Sequence, residues 1–149
     1  MAKVNAINIS TEKGTIKKTI KQGNFIENHG LENDAHAGKW HRQVSLLGQE
    51  SIALMEKQGA IGLCSGKFAE NITTEGIVLY ELAIGTKLKI GESIQEVTQI
   101  GKECHQGCEI MKQIGSCIMP TQGIFTRVLK TGIIKENDTI EILGLDYNV

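Results

Sequence analysis

Residues 86–100 read TKLKIGESIQEVTQI. Two short runs, Thr86–Ile90 and Ile94–Ile100, flank Gly91-Glu92-Ser93, and a glycine-led break of that length between strand-like runs predicts a β-hairpin. The same grammar extends outward. Downstream, Ile124–Leu129, entered through Gly123, and Thr139–Leu143 predict two more strands, with turns at Thr131-Gly132 and Asn137-Asp138. Upstream, Val4–Ser10 predicts a first strand with Ile7 and Ile9 on one face and Val4, Ala6 and Asn8 on the other. Lys13-Gly14 predicts the turn that brings Thr15–Ile20 back as its hairpin partner.

Between these β segments, Asn24–Lys39 is rich in Gly, Asn, Asp and His and predicts a long polar loop of the kind that carries function. Gln43–Leu47 predicts a buried strand. QESIALMEKQ, Gln49–Gln58, predicts a helix: strong helix formers, Ile52 and Met55 three apart, Leu54 widening the stripe, and Gly59 placed to cap it. GKFAENITTEGIVL, residues 66–79, predicts a glycine-bounded loop running into a short strand. Cys108–Ile114 predicts a second short helix closed by Gly115. Seven or more short strands with one or two short helices predict a mainly β fold, a small closed or nearly closed β-barrel.

Composition agrees. Seventeen glycines stand against one proline, and three Phe, two Tyr and one Trp leave the core to Ile, Leu and Val. The 149 residues carry no repeat, low-complexity tract or linker, so one domain over 1–149 is expected. A net charge of −1 gives no broad basic field for nucleic acid or an anionic membrane. MAKVNAINIS lacks the zones of a signal peptide, and no apolar run nears the ~20 residues of a membrane helix. A cytoplasmic protein with reduced cysteines is therefore expected, and a structural disulfide is disfavoured.

Those cysteines concentrate the chemistry. GKECHQGCEI, residues 101–110, holds Cys104, His105 and Cys108, with Cys117 following. A structural zinc site draws four ligands from compact pairs, but adjacent Cys104 and His105 rarely reach one tetrahedral ion and no second pair exists. A thioredoxin-like pair and covalent haem attachment both fail on spacing. Burial as plain apolar thiols suits Cys64 and Cys117 better than Cys104 and Cys108, whose neighbours are polar. Cys108, at a predicted helix start near Lys102 and His105, is the best nucleophile or soft-ligand candidate, since positive potential favours thiolate.

LENDAHAGKWHRQVSLL (31–47), GKFAENITTEGIVL (66–79), GKECHQGCEI (101–110) and GIFTRVLKTG (123–132) together resemble the MOSC domain, the C-terminal domain of molybdenum-cofactor sulfurases, in its short stand-alone bacterial form. The resemblance covers roughly residues 4 to 143 in matching order. It implies a largely β-barrel domain that binds the molybdenum cofactor (molybdopterin) or handles sulfur destined for a metal centre. Cys108, followed by Ile110 and Met111, matches the family's functional cysteine, as catalytic persulfide site or metal ligand. Thiolate is a soft donor suited to either task. Cofactor-binding candidates are Asp34, His36, His41, Arg42, Asn71, Thr73, His105 and Arg127, with Lys39 and Thr74 beside them.

Each polar candidate has a structural alternative: Asp34 capping a turn, Asn71 satisfying loop backbone, the histidines merely solvated, Arg127 salt-bridged on its strand. The loop reads Glu32-Asn33-Asp34 where a Gly-Asp pair is commoner in the family. The chain lacks both the pyridoxal-phosphate desulfurase domain of full sulfurases and the N-terminal β-rich domain of the amidoxime-reducing relatives, so pyridoxal phosphate is not expected. The expected partners are the cofactor or a sulfur donor or acceptor protein, and exposed sheet edges allow a homodimer. Two other functions compete: a molybdenum-dependent oxidoreductase of N-hydroxylated substrates and a zinc-stabilised interaction module.

Overall fold

A computed structural model describes residues 2–12, 17–57, 70–101 and 122–149, with the backbone alone at 55 and 56. Cys64, Cys104, His105, Cys108, Cys117, the Lys13-Gly14 turn, the Gly59 cap and the Cys108–Ile114 helix lie outside the described residues.

The hairpin of residues 86–100 forms as its sequence predicts. β7 (Lys87–Ile90) and β8 (Ser93–Ile100) pair antiparallel with Ile90 opposite Ser93, and Gly91, at φ 56°, supplies the left-handed turn residue. β8 pairs in turn with β9 (Ile124–Lys130), and β9 with β5 (Val44–Gly48), so an amphipathic hairpin leads into the buried middle of the sheet. β5 is buried at every position, as expected of a strand covered on both faces. It runs parallel to β6 (Ile72–Glu75), which pairs with β1 (Lys3–Ile9), and β1 with β2 (Lys18–Ile20). On the far side β11 (Ile140–Gly144) borders β7, completing an eight-stranded sheet in the order β11-β7-β8-β9-β5-β6-β1-β2.

Three strands form a second sheet, β10-β3-β4: Gly132–Lys135, Gln22–Ile26 and Gly30–Leu31. The two β3–β4 strands correct the expectation of one polar loop over Asn24–Lys39. Phe25 and Leu31 are core residues, and a Cβ on Gly23 would meet the Leu31 Cδ1 at 2.5 Å. Glycine here serves close packing inside a strand, which its sequence neighbours disguise as a loop. Thr131-Gly132 is likewise no simple turn: Thr131 alone separates β9 from β10, which belong to different sheets.

The helix α1 (Gln49–Lys57) follows β5 directly and buries Ile52, while Leu54 stays exposed. A 3₁₀ turn over Leu79–Glu81, unforeseen from sequence, buries Leu79. The fold is mainly β. Among the described residues the strands pair as two sheets rather than as the expected closed barrel, and an isolated bridge between Lys3 and Thr139 joins the start of β1 to the approach to β11, with Val4 and Ala2 sharing backbone hydrogen bonds with Asn137, Asp138 and Ile140. A single core of Val4, Ile7, Phe25, Leu31, Val44, Leu46, Ile72, Val97 and Ile124 with their neighbours lies beneath both sheets.

A Cβ on Gly132 would lie 2.2 Å from the Glu92 carbonyl carbon, so the second sheet abuts the β7–β8 turn backbone-to-backbone. Gly132→Ala is expected to cost about 1–3 kcal/mol of overpacking. Urea unfolding with an unchanged m value checks it.

Candidate functional site

The segment between β4 and β5 supplies half of the polar candidates and splits them into two neighbourhoods. The first is buried. Asp34 Oδ1 accepts from the Lys17 ammonium at 2.7 Å and from the Ser10 N–H at 3.0 Å, and Oδ2 accepts from the His36 N–H at 3.2 Å. Both ends of the ion pair are inaccessible, at 1 % exposure for the Lys17 side chain and 0 % for that of Asp34. Burial, the largest influence, pushes the Asp34 carboxyl up. The Lys17 hydrogen bond and charge, the Ser10 N–H and the Asn71 side chain together outweigh it and hold the group below its ordinary value of 3.8. Lys17 Nζ also lies 3.3 Å from His36 Nδ1. An ammonium can only donate, so Nδ1 accepts and the neutral His36 ring carries its proton on Nε2.

Asn71 and Thr73 extend this interior network. Asn71 Oδ1 accepts from the Ser45 N–H at 3.0 Å and from the Ser45 hydroxyl at 3.2 Å, while its Nδ2 donates to the Asn8 carbonyl at 3.3 Å. Thr73 donates to Glu70 at 2.7 Å and accepts from Asn8 Nδ2 at 3.1 Å, and Asn8 Oδ1 accepts from Thr19 at 2.8 Å. These contacts stitch β1, β2, β5 and the approach to β6 together. Asn71 thus satisfies backbone, as its structural alternative held.

The second neighbourhood is an open cleft of about 530 Å³ bordered by Lys39, Trp40, His41, Glu96, Val97 and Arg127. Arg127 Nε donates to Glu96 at 2.8 Å, and Lys87 lies 3.5 Å from the other Glu96 oxygen, so Arg127 is also salt-bridged. His41 and Arg42 converge on one atom, Gln99 Oε1, at 2.9 and 3.0 Å, and the Arg42 guanidinium lies 5.2 Å over the Phe125 ring. Gln99 Nε2 donates to the Gly101 carbonyl at 2.7 Å. Because Arg42 can only donate and a carbonyl can only accept, the Gln99 amide has one possible orientation. Its oxygen therefore accepts from His41 Nε2–H, leaving Nδ1 as the acceptor of the neutral ring. Trp40 joins the neighbourhoods: its indole N–H donates to the His36 carbonyl at 2.9 Å, and its ring stands edge-on to His41 at 5.9 Å.

Sequence reasoning missed Lys17, Gln99, Glu96, Glu70 and Asn8. Lys17 stands beside Lys18 in a run of three-dimensionally ambiguous polar residues, and only the pairing of β2 with β1 decides which lysine turns inward. Glu70 lies within the FAENITTEG stretch and was the one signal available. Cys108 and His105 lie outside the described residues. Gly101, however, donates to the Gly123 carbonyl at 2.6 Å, so the described ends that flank residues 102–121 meet beside Gln99. Among the described residues no group of three or more His, Cys, Asp or Glu could hold a metal ion. Nor is any described helix long and apolar enough to cross a membrane.

Removing the charge from Asp34 strands Lys17 in the interior, and Asp34→Asn is expected to cost about 3–5 kcal/mol. A depressed carboxyl stabilises above its unfolded pKa and loses that contribution as pH falls toward the lower folded value. Wild-type stability should therefore decline as pH drops below about 4 through a component that Asp34→Asn lacks, read by denaturant titrations across pH. For His41, nitrogen-15 correlation spectra should show the Nε2–H tautomer in the wild type and a tautomer mixture in Gln99→Leu.

The MOSC domain model matches residues 33–141. Among solved structures, the chain is similar to the YUAD protein from Bacillus subtilis, at 20 % identity and TM-score 0.75, over 95 % of this chain and 94 % of that one. It is similar to YiiM from Geobacillus stearothermophilus, at 16 % identity and TM-score 0.73, over 96 % and 75 %. YiiM from Escherichia coli matches at 16 % identity and TM-score 0.69, over 100 % and 71 %. At these identities the likeness is one of fold. No curated protein matches the chain.

Proposed function

The chain belongs to the MOSC domain family, which is generally associated with molybdenum cofactor binding, and we propose that it is a molybdenum-cofactor-binding or sulfur-carrier module in which Cys108 is the metal ligand or persulfide site. The observation that carries this reading is the junction at Gln99: one amide holds His41 and Arg42 and also grips Gly101, where the chain enters the segment that contains Cys108.

The residues present fit such a cofactor. The terminal amino groups of Arg42 meet no acceptor among the described residues, because its Nε takes Gln99 and its face covers Phe125. A guanidinium so placed is suited to a phosphate oxygen. Lys39 and Arg127 add donors at the cleft and His41 Nδ1 an acceptor, and Asp34, by locking Lys17 and the His36 backbone, sets the course of the segment that presents Lys39 and His41. Asn71 hydrogen-bonds Asp34 in that segment, and Thr73 braces Asn8 and Glu70 beside it. Bound there, the cofactor supplies two-electron redox chemistry at molybdenum. The protein's own part is to bind, to orient and to offer a soft thiolate from Cys108, with His105 three residues before it.

Protein purified from a cofactor-making host should carry molybdenum and pterin, or labile sulfur, in near-stoichiometric amounts. Cys108→Ser should lose the metal or sulfur, and Arg42→Ala should lower pterin content about tenfold. Absence of all three in the wild type, or an unchanged load in Cys108→Ser, sinks the reading. One equivalent of zinc with melting on chelation would favour the interaction-module alternative instead.

A further inference from the structure

The cleft beside the cationic segment has a feature that phosphate or metal binding does not call for. Trp40 is the only tryptophan in the chain and is 44 % exposed, on the wall of the cleft. Large aromatic side chains are more often covered, and an exposed one that moves freely is simply tolerated. Trp40 is held. Its indole N–H donates to the His36 carbonyl at 2.9 Å, and the residue that supplies that carbonyl is pinned through its own N–H to buried Asp34. His41 meets its ring at 5.9 Å and is itself fastened to Gln99. An indole fixed through its N–H and left partly open is a pre-oriented stacking surface, which a flat ring can meet with little loss of side-chain freedom.

The surrounding charge selects the sign. Lys39 and Arg127 border the same cleft, whereas Glu96 is its one acidic border residue and already bonds Arg127 and Lys87. His41 adds an acceptor at Nδ1 for a ring N–H, fixed by the orientation of the Gln99 amide. At about 530 Å³ the cleft has room for a fused bicyclic ring.

We propose that the cleft between Trp40, His41 and Arg127 binds a flat conjugated anion, with the Trp40 indole as its stacking face and Lys39 and Arg127 as its charge partners. This deepens the proposed function by giving the class of molecule presented to the site. It rests on that reading for the fate of the ligand, though not for its binding, which needs neither metal nor thiol. A free aromatic carboxylate and a pterin that bears an acidic substituent share this chemistry.

Because there is one tryptophan, the nitrogen-15 spectrum of the full chain has one indole N–H signal, and it reads the site directly. Metal-free protein titrated with 2-naphthoate should shift that signal saturably. Cyclohexanecarboxylate (an anion without a flat face) and 2-naphthyltrimethylammonium (a flat cation) should leave it in place. Pterin-6-carboxylate in a parallel arm separates the sources: tighter binding than 2-naphthoate assigns the cleft to a pterin, weaker binding to a free aromatic anion, and both support a stacking site. By calorimetry, Trp40→Leu should weaken 2-naphthoate about five- to tenfold, from the stacking worth of one aromatic pair. Trp40→Phe should retain most of the affinity, and Lys39→Ala should weaken it and flatten its salt dependence. An equal response to the non-planar acid, or unchanged affinity in a folded Trp40→Leu, overturns the proposal. Loss of molybdenum and sulfur from the protein would leave these results untouched, so the two readings fail separately.

Discussion

The Asp34 carboxylate ties the segment after β4 to the paired ends of β1 and β2. It takes the Lys17 ammonium from the entry to β2, the Ser10 N–H from the exit of β1 and the His36 N–H from its own segment. All of this happens out of water, where an uncompensated charge is very costly, so the geometry is obligatory. If the pair were broken, Lys17 would have to reach solvent, and the β1–β2 edge and the segment over it would part. One wall of the cleft descends from this contact: His36 offers the carbonyl that orients Trp40, and Trp40 leads directly to His41 and Arg42.

A second organising centre is the Gln99 side chain, which works through donor and acceptor logic. One amide oxygen serves two side-chain N–H donors while the amide nitrogen serves a backbone carbonyl. The arrangement couples the cationic segment to the end of β8, where residues 102–121 begin. The cationic segment and the start of the Cys108-containing stretch are thereby referred to the same strand, and the β8–β9 ladder, the most extensive in the sheet, supplies the rigid reference.

The interior polar residues illustrate how strongly environment reassigns a side chain. Asn71 and Thr73 sit in a stretch that reads as a ligand-binding loop, yet their polar atoms are engaged with Ser45, Asn8 and Glu70. They act on the site by fixing β6 against β1 and β5. Arg42 is the opposite case: its Nε is used to hold Gln99, and its remaining donors meet no acceptor among the described residues.

Local chemistry was sufficient for much of the fold. Gly91-Glu92 between β7 and β8, the apolar run that became β5, and the helix formers of Gln49–Lys57 each encode their structure within a few residues, where propensity and periodicity act. It also marked the cationic segment from Lys39 to Arg42, since clustered polar residues rarely lie in a compact domain without use. Pairing between distant segments lay beyond that reach. Phe25 reads as part of a polar loop until it pairs with Leu31, Lys17 and Lys18 are alike until β2 meets β1, and Gln99 is one strand glutamine among several until Arg42 arrives from 57 residues away. Burial, tautomer and hydrogen-bond direction are properties of pairs, and a one-dimensional pattern carries only one member of each.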